Sequence, residues 1–345
     1  MGASGDIATI GIIHAMNIYV LAIDGVFDVG LAAILDTLSL ANELIPTLDV
    51  AVEPFDVALI GSRRNVRTAH GLLVPCVSRS NLRGPETVLV PALGAKQPAQ
   101  LIDALGSRDV KFATEMLREF AQGNVLIGAA CTATFVLADG GLLGGHRATT
   151  SWWLAPVFRH RYKDILLDES RMLVTSLPFI TAGAALAHID LALGLVRQKS
   201  HLLASITARY LLVESRASQA IYVVPDHLAH ADPLVERFEH WCRANLSLGF
   251  DLSAAASSVH ASERTLSRRI KDVTGKAPLG FFQDIRVQRA VHLLETTADD
   301  IEKIAAAVGY ADGVSLRALL RDKLGKGTRE IRARVRNKGG EHHDR

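Results

Sequence analysis

Along the first two thirds of the chain, short continuous apolar runs alternate with segments in which apolar residues recur every three or four positions. The short runs are rich in Val, Ile and Leu and predict buried strands, whereas the periodic segments predict helices with one buried face. Strands of this kind, separated by helices, indicate a parallel sheet covered by helices on both faces. The predicted strands are residues 17–23, 54–60, 87–93, 125–130 and 171–176, with a hairpin over 66–77 and a helix over 30–44.

The longest apolar stretch covers residues 177–196, which is long enough to cross a bilayer. It contains His188 and Asp190, whose burial in lipid would be costly, and it is rich in Ala and Gly. We therefore expect a helix buried in the core of a large α/β domain, and no membrane partner.

In the last third of the chain the pattern is helical, and one pattern occurs twice about fifty residues apart. Residues 251–275 predict a short helix, a tight turn and a second helix, and residues 299–325 predict the same three elements. Asp299 and Glu302 have the spacing of a capping box at the start of the second copy. Residues 278–297 predict an amphipathic helix that would hold the two copies at a fixed separation.

Two helix-turn-helix units on one rigid helix fit double-helical DNA. Helices held ~34 Å apart, one turn of the duplex, reach successive faces of the major groove. Arg, Ser and Thr side chains on their outer faces suit guanine edges and phosphates. The candidate DNA-binding residues are Arg264, Thr265, Ser267, Arg268, Lys271, Ser315, Arg317 and Arg321.

The charge distribution supports this interpretation. Residues 250–338 carry 17 Lys and Arg against 11 Asp and Glu, whereas the rest of the chain carries 21 basic and 25 acidic residues. A basic segment on a mildly acidic body indicates an anionic partner for that segment alone. The alternative is a pair of ordinary helical hairpins with solvated charged faces, but two copies in register with net positive charge favour DNA binding.

A chain of 345 residues exceeds one typical core, so we expect two main domains. Three widely spaced cysteines without CxxC spacing indicate a reducing cytoplasm, and the N-terminus lacks the basic region of a secretory signal. We expect no metal and no cofactor. The predicted parts are a leader 1–16, an α/β domain 17–213, a linker 214–232, a helical domain 233–336 and a tail 337–345.

The segments "ASERTLSRRIKDVTGKAPLGFFQDIRVQRAVHLLETT" and "IEKIAAAVGYADGVSLRALLRDKLG" carry a resemblance to a known family. Over residues 233–336 the chain resembles the AraC/XylS-type DNA-binding domain. Leu316 and Leu320 stand where that family usually has Phe, Thr328 where it has Pro, and His260 where it has the turn Gly. The Leu residues keep the core apolar, whereas the turn changes prevent base preference from being carried over.

The segments "IGAACTATFVLADGGLLGG", "RATTSWW" and "VTSLPFITAGAALAHIDLAL" lie in the first part of the chain. This part resembles the class I glutamine amidotransferase-like superfamily, in the branch with PfpI-type proteases and isonitrile hydratases. The resemblance implies a flavodoxin-like α/β sandwich with a parallel sheet, followed by an all-α domain with two helix-turn-helix units. That combination is similar to the GlxA-type AraC-family transcriptional regulators.

Cys131 is where a predicted strand passes into a helix, which is the position a nucleophile needs. A thiol requires an adjacent base or cation to form the reactive thiolate at neutral pH. In the enzymes that this region resembles, a His follows the Thr-Thr pair, but here Ser151 takes that position and cannot act as a base. Phe27 replaces their acidic residue, and His146 lies in a loop of unknown reach.

We therefore interpret Cys131 as part of a pocket that binds a ligand without turning it over. Simple core packing and a working nucleophile are the alternatives, and oxidation of the thiol as a redox signal stays open. Cys76 and Cys242 are interpreted as small apolar residues. The candidate ligand-pocket residues are Asp28, Cys131, Thr132, Ser151 and Trp152.

Taken together, the sequence predicts a cytoplasmic, homodimeric transcriptional regulator that is not an enzyme. Its partners would be double-stranded promoter DNA and an unknown small-molecule effector. One alternative is a cysteine-dependent hydrolase or hydratase with a DNA-binding appendage. Another is a constitutive DNA-binding protein whose α/β part only dimerises.

Overall fold

The structure, a computed structural model, describes residues 15–48, 52–78, 84–213, 218–219, 232–325 and 327–332. It divides into two compact units, Met1–Ala148 with Leu173–Arg216, and Thr149–Met172 with Ala217–Arg345. The tail, nearly all of the leader and most of the linker fall outside the described residues. The segment Thr149–Met172 groups with the second unit because it packs with the C-terminal helices, and the domain bounds that we predicted stay a prediction.

The first unit is built on a six-stranded sheet with the order β2-β1-β5-β6-β10-β9. Its strands are parallel except β9, which runs antiparallel to β10. The strands β3 and β4 form an antiparallel hairpin. The strands are β1 Met16–Ala22, β2 Phe55–Gly61, β3 Asn65–Arg67, β4 Leu73–Pro75, β5 Thr87–Val90, β6 Leu126–Ala130, β7 Arg147–Ala148, β8 Leu166–Leu167 (in the second unit), β9 Leu173–Ser176 and β10 Phe179–Ala182.

Each predicted strand is present, and the predicted hairpin turns at His70 and Gly71. The positive φ of 88° at Gly71 suits that turn. The helices up to the linker are α1 Asp28–Leu44, α2 Pro98–Leu105, α3 Arg108–Gln122, α4 Ala133–Asp139, α5 Ala155–Arg161 (in the second unit), α6 Ala187–Lys199 and α7 His201–Tyr210.

The prediction of one long helix over residues 177–196 is wrong in its first part. Phe179–Ala182 forms β10, which is buried throughout because it lies between β6 and β9. A short apolar run cannot by itself distinguish a buried strand from a buried helix. The helix that follows, α6, has 13 residues and spans about 20 Å, too short to cross a bilayer.

One helical segment of the described residues, Asp28–Thr47, has the length and mean hydropathy of a membrane-spanning helix. Its inward side chains include Leu31, Ile34, Leu38 and Ala41, all buried within the first unit, where α1 packs on α6 and α7. The apolar composition of this helix is therefore accounted for by its place in the core.

The second unit contains two small apolar cores joined by one long helix. The first surrounds Phe238, Leu266 and Phe281, and the second surrounds Ile304 and Leu316. The long helix α11 (Pro278–Thr296) contributes to both, which makes it a shared strut. The C-terminal helices are α8 Pro233–Ala244, α9 Leu252–Ser258, α10 Glu263–Thr274, α11 Pro278–Thr296, α12 Ile301–Ala307 and α13 Gly313–Leu324.

Candidate functional site

The two helix-turn-helix units of the second unit repeat each other in their backbone geometry. The turn after α9 contains His260 at φ 57°, and the turn after α12 contains Gly309 at φ 78°. In each turn the next amide, Ala261 or Tyr310, donates to the carbonyl five residues earlier, at 3.0 and 2.8 Å. His260 therefore has a left-handed conformation at the position where the resembled family has the turn Gly.

The outer helix of each unit, α10 or α13, begins at a side-chain cap and ends at a left-handed glycine. Ser262 Oγ accepts the Thr265 N–H at 3.1 Å, and the Asp312 carboxylate accepts the Ser315 N–H at 2.7 Å. The caps and the buried pairs Leu266/Ile270 and Leu316/Leu320 are each offset by fifty residues. Each helix ends at a glycine in the left-handed conformation, Gly275 or Gly325.

The predicted capping box at the start of the second copy is wrong by one residue. Asp300, not Asp299, accepts the Lys303 N–H at 2.7 Å and caps α12, while Asp299 pairs with the Lys303 ammonium. Glu302 accepts the N–H of Gly313 at 2.7 Å instead of closing the box. This bond ties the start of α13 to α12, a tertiary role that local spacing did not reveal.

The predicted DNA-facing side chains lie on the outward faces of the two outer helices. Thr265 and Ser267 are half-buried, and the Thr265 hydroxyl accepts a hydrogen bond from the Ser262 hydroxyl at 2.9 Å. The exposed members are Arg264, Arg268 and Lys271 on α10, and Ser315, Arg317 and Arg321 on α13. Arg317 stands 4.0 Å from Glu302, an exposed pair too weak to hold its guanidinium.

Sequence reasoning missed two outward positions on α13. Val314 is 67% exposed, and Ala318 is exposed one turn later. The fifty-residue offset aligns them with Arg264 and Arg268 of α10, so the repeat itself carried the signal. Because neither residue is polar, a search for basic and hydroxyl side chains passed over them.

Sequence reasoning also missed how the two helix-turn-helix units are fixed to each other. Arg286 of α11 is buried, and its guanidinium donates to the Leu246 carbonyl at 2.8 and 3.2 Å. Its charge also lies over the rings of Phe282 and Tyr310, at 4.6 and 5.1 Å. A Cβ at Gly309 would stand 2.2 Å from the same carbonyl, so only glycine fits this turn.

A second tie joins the carboxyl ends of the outer helices. Asp284 of α11 pairs with Lys276, which follows α10, and with Lys323 of α13 at 3.3 Å. A single carboxylate thus contacts a cation from each helix-turn-helix unit.

At the carboxyl edge of the first unit's sheet, Cys131 adopts the turn that the sequence predicted. It directly follows β6 with φ 58°, a rare conformation for a residue other than glycine. Its N–H donates to Ala182 O at 2.9 Å, and the residue is buried. The next residue, Thr132, donates its hydroxyl to Leu93 O at 2.9 Å, which joins this turn to the end of β5.

The nearby His188 is a structural histidine. Its Nε2 accepts the Ala92 N–H at 3.0 Å, and its Nδ1 donates to Ala185 O at 2.5 Å. Burial lowers the pKa of His188 to about 4, so the ring is neutral near pH 7. Gly30 of α1 packs against this ring, since a Cβ there would stand 2.5 Å from Nε2. Both ring nitrogens are occupied, so His188 cannot serve Cys131 as a base.

His146, the remaining histidine considered as a base, lies at the other end of the neighbouring strand. Its Nδ1 is 3.0 Å from Ser176 Oγ, and its ring packs edge-on against Phe179 at 5.0 Å. Phe179 begins β10, whereas the Cys131 turn is bound to the last residue of β10. The rise per residue of a strand puts Phe179, which contacts His146, about 10 Å from Ala182, which is hydrogen-bonded to Cys131.

Asp28 opens α1 and is held by the hairpin. Its Oδ2 lies 2.7 Å from His70 Nδ1 and accepts the His70 N–H at 3.3 Å. Burial raises the pKa of Asp28, but hydrogen bonds from Thr68 and His70 outweigh it, so the pKa lies below its ordinary value. Phe27, in the place of the enzymes' acid, is the buried residue directly before α1, and its side chain makes no capping hydrogen bond.

Ser151 and Trp152 belong to the second unit. Ser151 is buried and precedes a 3-10 turn over Trp152–Leu154, in which the Trp152 and Trp153 rings meet edge to face at 5.6 Å. The common pocket of the five candidate residues stays a prediction. A shallow cavity of about 310 Å³ in the first unit lies at the opposite edge of the sheet, beside Tyr19, Phe120 and Val125.

Cys76 and Cys242 behave as the apolar residues that we predicted. Both are buried, and burial raises the pKa of each thiol, with Glu239 adding to the effect at Cys242. Within the described residues, no group of three or more His, Cys, Asp or Glu side chains is placed to hold a metal ion.

Inside the second unit, the segment Thr149–Met172 packs against the first outer helix. Arg159 of α5 donates to the Val273 carbonyl at 3.1 Å and to Glu169 at 2.6 Å, beside the glycine that ends α10. The same segment holds the buried amide of Gln219, which donates to the Thr150 carbonyl at 2.8 Å. The predicted linker is thus fixed at this point.

These features define a helix-turn-helix protein carrying an α/β domain of flavodoxin-like fold, as the sequence predicted. Residues 255–334 match a family described as helix-turn-helix domain, and residues 16–198 match the DJ-1/PfpI family. The second match covers more than half of the chain, which therefore belongs to the DJ-1/PfpI family. The combination of the two domains is that of AraC-type transcriptional regulators.

Several bacterial regulators are similar to this chain. The HTH-type transcriptional regulator ArgR of Pseudomonas aeruginosa is 26% identical over 63% of this chain and 67% of its own length. GlxA of Rhizobium meliloti, a regulator of the same type, is 24% identical over 71% of this chain and 75% of its own. The chain spans 57 to 59% of the regulators GbdR and CdhR.

Among solved structures, an AraC family transcriptional regulator from Pseudomonas putida covers 57% of this chain and 99% of its own. It is 16% identical, with a TM-score of 0.47.

Proposed function

We propose that this protein is a cytoplasmic transcriptional regulator that binds promoter DNA through α10 and α13. The observation that carries the proposal is the repeat of two helix-turn-helix units joined by α11. Their outer helices begin at equivalent caps, and each outer helix has exposed cations. The net positive charge of this segment supports attraction to phosphates, and the outer helices have the form that enters the major groove. The similarity to named regulators points in the same direction.

The protein regulates and does not catalyse. Cys131 has the turn of a nucleophile, yet His188 has both ring nitrogens occupied and His146 is bound at the far end of β10. A serine in place of the enzymes' histidine removes the remaining source of a base. The rival function, a cysteine-dependent hydrolase or hydratase, predicts that Cys131→Ser abolishes turnover. Ours predicts that DNA binding and regulation survive this substitution.

A small-molecule effector is proposed to bind near Cys131, at the carboxyl edge of the sheet, where ligands of open α/β sheets bind. Effector binding would shift the population between arrangements of a homodimer and so re-space its DNA-binding pairs. The packing of Thr149–Met172 against α10 supports this, because that segment lies within the residues that match the DJ-1/PfpI family. A thermal-shift screen of amino acids, amines and small amides tests for the effector.

DNA binding is tested by titrating the purified chain with duplexes from its own upstream region. Arg268→Ala or Arg317→Ala should weaken binding by about 1–3 kcal/mol and relax preference at one position if the residue reads a base. A uniform loss with a shallower salt dependence would identify a phosphate contact. Lys111→Ala, an exposed cation on α3 of the first unit, is the matched control. Failure to bind any such duplex in dilute buffer would refute the proposal.

A further inference from the structure

We propose that α13 reads the methyl group of thymine through Val314, so that the two outer helices of one chain recognise different kinds of base pair. The proposal rests on the DNA-binding function proposed above and names the chemistry that the second helix would recognise. The distinguishing feature is an exposed branched apolar side chain where the equivalent helix carries an arginine.

The equivalence of the two positions follows from the geometry of the repeat. Counting from the cap, Ser262 in one helix and Asp312 in the other, Arg264 and Val314 are each the second residue onward. Since the buried leucines that orient the helices follow the same offset of fifty residues, the two side chains leave their helices on the same face. If Arg264 faces DNA, Val314 does too.

Val314 has no role in the core that would explain it. It is 67% exposed, whereas the second core is filled by Leu316 and Leu320 of the same helix. A single exposed valine is ordinary on a protein surface. This one shares a face with Arg317 and Arg321, three and seven positions later, so it lies within the cationic surface proposed to meet the duplex.

The chemistry of the major groove assigns the ligand. Among the groove edges of the four bases, thymine alone presents a methyl group, and apolar side chains contact it. The α10 face, with Arg264, Arg268 and Lys271, instead presents donors suited to guanine acceptors and phosphates. The operator of one chain should therefore contain a guanine-bearing subsite and a thymine-bearing subsite, one helical turn apart.

The test begins with an operator selected by the full-length protein from a random duplex library and located by footprinting. Each thymine in it is then replaced by deoxyuridine, which removes only the C5 methyl group. For the native chain we expect about three- to fivefold weaker binding at one or two thymines in a single subsite. Val314→Ala should weaken binding to the selected operator by a similar factor, and its binding should no longer change when those thymines are replaced.

Two further variants control the experiment. Leu279→Ala removes another exposed apolar side chain of the second unit and should keep the native sensitivity to deoxyuridine. Val314→Thr keeps the branched shape and one methyl group, so it should retain part of that sensitivity.

Three results would overturn the proposal. They are a native chain indifferent to every deoxyuridine, a selected operator with no thymine in the subsite that α13 contacts, and a Val314→Ala variant with unchanged sensitivity. If instead no operator can be selected and the chain ignores duplex DNA at low salt, the DNA-binding function itself fails.

Discussion

The buried histidine of the first unit makes the stability of that unit depend on pH. His188 is neutral in the folded protein, because its Nε2 accepts the Ala92 N–H and its Nδ1 donates to Ala185 O. The pKa of His188 is lowered from 6.5 to about 4. Between these two pH values the ring is protonated in the unfolded chain but stays neutral in the folded chain. The contribution of the neutral His188 ring to the free energy of unfolding is therefore fully present above pH 6.5 and is lost as the pH falls.

The magnitude follows from the two pKa values. Between pH 7.5 and pH 5, the free energy of unfolding should fall by about 2 kcal/mol from this residue alone, and the full loss below pH 4 should be about 3 kcal/mol. The variant His188→Gln cannot titrate. Although it is less stable at pH 7.5, it should lack this component of the pH dependence.

Urea unfolding at several pH values measures the effect. The three tryptophans, Trp152, Trp153 and Trp241, all belong to the second unit, so their fluorescence isolates that unit. Circular dichroism follows the unfolding of both units, so comparing it with the fluorescence transition isolates the unfolding of the first unit. His146→Gln removes another histidine of the first unit and should retain the acid loss. Equal pH dependence in the native chain and in His188→Gln would refute the reasoning.

Three further predictions concern the turns, the packing of α10 and the cysteine. His260→Gly should stabilise the second unit by up to about 1 kcal/mol, since a non-glycine residue is strained at φ 57°. Gly309→Ala should destabilise the same unit by at least about 2 kcal/mol, because the added Cβ would clash with the Leu246 carbonyl. Unfolding followed by tryptophan fluorescence measures both changes, and the opposite signs would contradict the assignment of the turns. Arg159→Ala should weaken operator binding severalfold, because the end of α10 loses its hydrogen bond to Arg159. Arg161→Ala, at an exposed position of α5, is the control. Unchanged hydrogen exchange in α10 of the Arg159→Ala variant would contradict this prediction. Cys131→Ser should leave operator affinity within about twofold in filter-binding or anisotropy titrations, and loss of binding with an intact fold would show that the thiol is required.

Local patterns were sufficient for most of the elements and failed where a decision needed distant partners. The apolar periodicity identified α1, the hairpin and both helix-turn-helix units. The same kind of pattern misread Phe179–Ala182 as helix, because only pairing with β6 and β9 makes it a strand. It also put the capping box on Asp299, since the contact between Glu302 and Gly313 is invisible to spacing.

By itself, the sequence determined the class of protein. A repeat of apolar and capping residues at an offset of about fifty, with net positive charge, specifies two alike helical hairpins, because helix period and caps are local properties of the chain. Only the tertiary structure decided which side chains remain outward and what fixes the helices to one another. The sequence alone does not show that Arg286 is buried or that Asp284 is ion-paired, because Leu246 lies 40 residues before Arg286 and Lys323 lies 39 residues after Asp284. The exposure of Val314, at a position that the repeat pairs with Arg264, is likewise a property of the folded unit.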